Sequence, residues 1–462
     1  MIKRKGPLLL LAVIGFFQAA SLVRLVSVMP VYHHVDEAYH YDYILKLKQS
    51  GPHSSCLHLH PMILLSIREY GYDSLYYFAY PVCRKEQYNP DFKDLEENFQ
   101  INQHPPLYYF ILTFFVSEKS APLTQVMNVQ ALRIIGIFLF LLGGILWASG
   151  LSRWLGMKRM NLLMLIMIWT WTPSELFRVS NDMGLFLISA VTVYVFSFTE
   201  GGGEEKRTWL SILLGLCLGA CIWTKYNLIY LLLPALCMGR LGQHLRSIRY
   251  REGKRGKVNS PWKEMAGRVI TDPAFLIFMA SLILLRFMVK TEVYKPPFGP
   301  TSLKDVSFFH IYSKLIFGET LWLGKFIIEI KSLSPKILLV LFVIGFLCAL
   351  LVRIKPGYHI SRENSFLPVC DIRRRSLIFL LAIVVWMVFI QIFIVLIIPW
   401  FCQGRYWIPL VPFAISAMIT GYHQLGYLFS CRWRYIFPIL ATATWVAINS
   451  LHLQKVIERM SM

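Results

Sequence analysis

Acidic side chains are scarce in this chain: 26 Asp and Glu stand against 47 Lys and Arg in 462 residues. Charged residues of both signs make up only 16% of it, too few for a soluble chain of this size to cover its surface. Cysteine is sparse as well, and the nine present show no CxxC spacing, so no zinc site or redox motif is implied. No internal repeat divides the chain into paired halves, the arrangement a transporter would be expected to carry, and no low-complexity linker separates domains. Gly201, Gly202 and Gly203 mark a single flexible turn.

What the chain has instead is apolar length. Hydrophobic residues make up 56% of it and aromatics 15%, with a mean hydropathy of +0.52. Apolar runs recur near 7–29, 132–152, 161–171, 183–198, 209–223, 228–238, 273–289, 337–352, 376–398, 411–429 and 437–451. A hydrocarbon layer of about 30 Å is crossed by about 20 helical residues, and only helices satisfy their own backbone there. The expectation is an all-α polytopic membrane protein, a single transmembrane domain over 1–462 built from about eleven helices. The first run has a basic start like a signal peptide, but it carries Arg24 and lacks a small-residue cleavage site before Pro30, so it reads as a retained anchor.

The formal net charge of +21 suggests a nucleic-acid partner only until the charges are located. They lie between apolar runs, at Lys3, Arg4 and Lys5, at Arg153, Lys158 and Arg159, and densely over 240–268 and 353–375. Such segments stay on the cytoplasmic side, which puts the N-terminus inside and the C-terminus outside. The basic balance therefore reports topology and contact with anionic membrane lipids, with no nucleic acid implied.

One segment departs from a bare bundle. Residues 30–130 form a first outer loop too long to be a connector, within which 107–116 is apolar over a length that suits a helix lying along the interface. A second outer loop, 290–336, is rich in aromatics and placed to cap the same face. Cys56 and Cys83 share the first loop and either pair in an oxidising compartment or remain thiols. His33, His34, His40, His58 and His60 offer metal-ligand chemistry without a ligand spacing, which leaves a divalent metal there open.

Chemistry-bearing residues cluster on the outer side. Just past the first run comes Val35-Asp36-Glu37-Ala38-Tyr39-His40-Tyr41, two adjacent carboxylates among aromatics. A carboxylate in such surroundings is a candidate general base, and the bland alternative is a helix cap or loop anchor. Later in the loop, Gln103-His104-Pro105-Pro106-Leu107-Tyr108-Tyr109 has two prolines that delay helix entry until Pro106. Ser180-Asn181-Asp182-Met183, Trp223-Thr224-Lys225-Tyr226 and Gln403-Gly404-Arg405-Tyr406-Trp407-Ile408-Pro409 also fall on the outer side.

This ordered set resembles the GT-C superfamily of polyprenyl-phosphate-dependent glycosyltransferases, which includes the protein O-mannosyltransferases and the lipid A aminoarabinose transferases. The resemblance spans scattered short segments between Val31 and Pro412. It implies transfer of a sugar from a polyprenyl-phosphate donor to an acceptor, whether glycan, lipid or protein, on the extracytoplasmic or lumenal face. The plasma membrane of a bacterium or the endoplasmic reticulum of a eukaryote would be the location. In those terms Asp36 is the base, with Glu37 positioning it or the acceptor. Lys225 is a point charge and Arg405, beside Tyr406, a bidentate clamp on the phosphate, unless either cation merely snorkels to headgroups. Asp182 either orients Lys225 or the acceptor or caps a helix, and Gln103 and His104 either bind sugar hydroxyls or fix the loop. The rival reading is a transporter or lipid flippase, in which Arg24 and Arg286 would line a pathway.

Overall fold

A computed structural model describes residues 5–29, 31, 35–50, 63, 65–66, 105–117, 121–171, 177, 179–199, 204–225, 267, 270–288, 320–323, 326–329, 333–351, 380–381, 384–385, 389, 410–429 and 435–460. Over these the chain is predominantly helical. The helices are α1 (Lys5–Val28), α2 (Val35–Ser50), α3 (Leu107–Thr113), α4 (Pro122–Trp154), α5 (Asn161–Thr170), α6 (Asn181–Phe196), α7 (Glu204–Thr224), α8 (Pro273–Met288), α9 (Leu333–Leu351), α10 (Leu410–Phe429) and α11 (Ile436–Met460). The helical architecture carries one addition, inside the second predicted outer loop. There Thr320–Leu323 (β1) and Phe326–Glu329 (β2) form a short antiparallel pair, with Leu323 opposite Phe326.

Local chemistry explains where the helices begin and end. Pro122 opens α4 after the extended Ala121, at a position where a missing N–H costs nothing. Gly156, at φ 66°, closes it, with its N–H on the Arg153 carbonyl and that of Met157 on Ser152. This left-handed stop frees the chain to turn within a few residues, through a 3-10 turn at Lys158–Met160, into α5. Ser180 caps α6 by accepting the Asp182 N–H, and Asp272 caps α8 by accepting from Ala274 N–H and Ser211 Oγ.

The helices pack as a bundle with α4, α5 and α6 at its centre. Trp147 of α4 donates from Nε1 to the Phe186 carbonyl of α6, and further along the same pair Gly150 lies against the backbone of Tyr194, so α4 and α6 run parallel. Ser211, Gly215 and Gly219 of α7 meet Asp272, Ala274 and Ser281 in the same order, so α7 and α8 are parallel too, and Thr224 and Pro273 lie at opposite ends of that pair. On the far side α9 and α10 touch backbone to backbone at Gly345 and Gly421, where a methyl on Gly421 would collide with the Gly345 carbonyl. Trp445 of α11 donates to the Met167 carbonyl of α5 and closes the bundle.

Two helices are long and apolar enough to cross a membrane by length and composition, Pro122–Trp154 and Ile436–Lys455. Several shorter apolar helices accompany them, including Asn181–Phe196 and Thr208–Thr224. Large apolar side chains such as Phe16, Phe138, Trp209, Leu216 and Phe389 stand on the outer surface. Most predicted runs coincide with helices to within a few residues, but α4 begins ten residues before 132 and α11 continues past 451. Residues 35–50, expected as loop, are helical, and the interfacial stretch is a helix over Leu107–Thr113. The predicted run at 228–238 lies outside the described residues, as does that at 376–398 apart from five positions. The glycine turn at 201–203, the basic stretch at 353–375 and all but position 267 of that at 240–268 lie outside them as well.

Candidate active site

Helices α2 and α3 lie at one end of the bundle, where α1 and α7 finish and α4 and α6 start. Glu37, on the first turn of α2, is fully buried and meets Arg133 of α4 in a two-pronged ion pair: Nε to Oε1 at 2.8 Å and Nη2 to Oε2 at 2.5 Å. Oε1 also accepts the backbone N–H of Val179, and Arg133 Nη1 donates to the Met29 carbonyl at the end of α1. One buried pair thus ties α1, α2, α4 and the approach to α6 together. A carboxylate held by a guanidinium and an amide is arranged to fix backbone, not to shuttle protons. Glu37 thus fixes the entry to α2 against α4 and the Val179 backbone.

The second turn of α2 is tied to α3. His40 Nδ1 and Tyr109 Oη share a 2.6 Å hydrogen bond, and the Tyr43 ring meets Tyr109 edge-on at 4.9 Å between centroids. Further along, Asn128 of α4 donates to Tyr41 Oη and to the Ser117 carbonyl, and Tyr41 donates to Gln125. The lysines of α2 are engaged as well, Lys46 with Asp42 and Lys48 with the Val116 carbonyl. These bonds explain the polar start of α4: Gln125, Asn128 and Arg133 are buried against α2, where water would otherwise have to satisfy them.

On the other side of α3, the Tyr108 ring covers Gly184 of α6, where a methyl group would collide with it. Burial, with the negative Asp182 nearby, raises the Tyr108 phenol well above its usual pKa. Asp182 forms a buried ion pair with Lys225 at the end of α7, and Asn181 Nδ2 donates to the Thr224 carbonyl.

The structure therefore joins four stretches far apart in sequence, around residues 37–43, 105–109, 179–184 and 224–225. Of the sequence-predicted site residues it brings Asp182 and Lys225 into contact and sets Glu37 within the same end of the bundle. Asp36 is on α2, but its side chain lies outside the described residues, as do Gln103, His104, Arg405, Tyr406, Cys56, Cys83, His33, His34, His58, His60 and the side chain of Arg286. Among the described residues no group of three or more His, Cys, Asp or Glu side chains is arranged to hold a metal. Sequence reasoning missed Arg133, whose signal was a lone Arg inside an apolar run, and it missed the pairing of His40 with Tyr109. Compared with known proteins, the chain matches no family model, no curated protein and no solved structure.

Proposed function

We propose that this chain is a multi-pass membrane glycosyltransferase that moves a sugar from a polyprenyl-phosphate donor to an acceptor at the extracytoplasmic or lumenal face. What supports the reading is the convergence at one bundle end of the acidic helix α2, the Tyr108-Tyr109 helix and the Asp182–Lys225 pair. A donor with its tail in lipid and its phosphate at the interface needs a base and an unbalanced cation at that depth, the cation being Arg405, since Asp182 balances Lys225. Asp36 serves as the base, on a helix turn that the Glu37–Arg133 pair immobilises. Arg405 clamps the phosphate, with Tyr406 beside it, while Gln103 and His104 precede the helix that carries Tyr108. Apolar residues on the outside of the bundle, Phe138 and Leu216 among them, are suited to acyl chains.

The decisive experiment supplies membranes carrying the protein with a panel of radiolabelled polyprenyl-phosphate sugars. Release of label from one donor, abolished by Asp36→Asn at equal expression, is the expected result. Passage of intact lipid across the membrane without release would establish a flippase instead.

A further inference from the structure

The end of the bundle opposite α2 and α3 concentrates positive charge. Arg153 on the last turn of α4, with Lys158 and Arg159 on the 3-10 turn before α5, puts three exposed cations within seven residues. The turn that carries them is fixed: Gly156 is left-handed, and the N–H groups of Gly156 and Met157 close on the carbonyls of Arg153 and Ser152. Two of the side chains are held as well. The Arg153 guanidinium lies 3.8 Å from the centre of the Phe198 ring, just past α6, and Arg159 Nη1 donates to Tyr435 Oη, at the entry to α11, at 3.0 Å. Neither contact cancels charge, and among the described residues none of the three cations forms an ion pair with a carboxylate. At the α2 end, by contrast, Glu37 and Arg133, Asp42 and Lys46, and Asp182 and Lys225 are matched in pairs.

Apolar side chains border these cations. Trp209 on the second turn of α7, Phe429 at the end of α10, with its ring 5.4 Å from that of Phe437, and Ile436 at the start of α11 are all exposed. Uncompensated cations beside exposed aromatics suit the level where acyl chains give way to headgroups. A soluble acidic partner would meet the charge and leave the apolar rim uncovered. We propose that this end of the bundle binds the headgroup phosphates of anionic phospholipids through Arg153, Lys158 and Arg159, with Trp209, Phe429 and Ile436 against the upper acyl chains. The distribution of basic residues puts this end on the cytoplasmic side. The inference rests on the chain lying in a membrane and not on the transfer of sugar. Because Arg153 leans on the segment after α6 and Arg159 on that before α11, lipids held there tie the α4–α5 turn to both neighbours.

The test titrates the parent in neutral detergent with phosphatidylglycerol or phosphatidylcholine and counts bound lipids by native mass spectrometry. A cation beside an anionic headgroup contributes about fivefold in affinity. The parent should therefore prefer phosphatidylglycerol, Arg153→Gln and Arg159→Gln should each lower its affinity about fivefold, and the triple variant with Lys158→Gln should lower it further, while phosphatidylcholine binding stays as in the parent. Arg153→Lys with Arg159→Lys keeps the charge and should keep most of the preference. Raising the ionic strength from about 0.05 M to about 0.5 M should remove the preference of the parent itself, a check that needs no variant to fold. Phosphatidylglycerol bound as tightly by the triple variant as by the parent, or a preference that survives salt, overturns the proposal. Displacement of the lipid by an equal concentration of inorganic phosphate would make this a site for a soluble anion and overturn the lipid assignment. Release of the parent from membranes by alkaline carbonate without detergent overturns the membrane reading itself.

Discussion

Breaking the Glu37–Arg133 pair is the perturbation whose outcome the geometry fixes most tightly. Arg133→Met removes two charge-assisted bonds from a carboxylate at zero exposure and leaves the Val179 amide still donating to it. Stranding one member of a buried pair costs about 3–5 kcal/mol. Glu37→Leu strands the guanidinium on the Met29 carbonyl at a similar cost. With both replaced, neither charge is buried, and what remains is the loss of partners for two backbone groups, about 1–3 kcal/mol each. The double variant should therefore cost about 2–6 kcal/mol where the two single costs sum to about 6–10, a coupling of roughly 4 kcal/mol. Unfolding by a denaturing detergent titrated into mixed micelles, followed by tryptophan fluorescence, measures all four corners of the cycle. Additive single costs, with coupling under about 1 kcal/mol, would mean that the pair is solvated or replaceable and that the clasp across α1, α2, α4 and α6 does not hold this end together.

Three further outcomes can be checked. Gly421→Leu should separate α9 from α10, because the Gly345 carbonyl occupies the space a side chain would need. It should lower the midpoint of detergent unfolding, whereas Gly267→Leu, with no atom of the described residues within 4 Å of the added Cβ, should not. Gly184→Leu should displace Tyr108 and lower sugar release about tenfold or more, and Tyr108→Ala in the same background should recover stability by making room. The Tyr41 and Tyr108 phenols are raised by burial, so below the ordinary phenol range both folded and unfolded chains keep these protons. Above it the unfolded chain loses them first, and stability measured by the same unfolding assay should fall as pH rises past about 10, less steeply in Tyr108→Phe.

Much of the helical pattern was legible because apolar runs are long and bounded by charge. The start of α8 coincides with the predicted run at Pro273, whereas α6 begins at Asn181, two residues before its predicted run, because Ser180 and not Asp182 supplies the cap. The start of α4 was not legible, because Gln125 and Asn128 look like surface residues until α2 covers them. Helix α2 was hidden for the same reason: its Glu, His and Tyr residues are satisfied by partners some 70 to 140 positions away, which no local pattern reveals. The two-stranded pairing at 320–329 was missed because a short aromatic run also suits an irregular loop.

The Asp182–Lys225 pair changes what each outer cation is expected to do. Lys225 is buried and its charge is cancelled by Asp182, so it has little net field to offer a phosphate, whereas a phosphate gains most from an unbalanced, fork-shaped donor. The expectation is that donor affinity depends on Arg405 and fold integrity on Lys225. Lys225→Met alone would confound the two, because it strands Asp182, so the informative variant is Lys225→Met with Asp182→Asn, which removes the pair without leaving a buried charge. Binding of a polyprenyl phosphate in detergent should then be close to parental in the double variant, partly kept in Arg405→Lys and lost by about tenfold or more in Arg405→Ala. Should the double variant lose affinity as far as Arg405→Ala does, Lys225 must leave Asp182 to meet the phosphate, and the pair would be a latch that the donor opens.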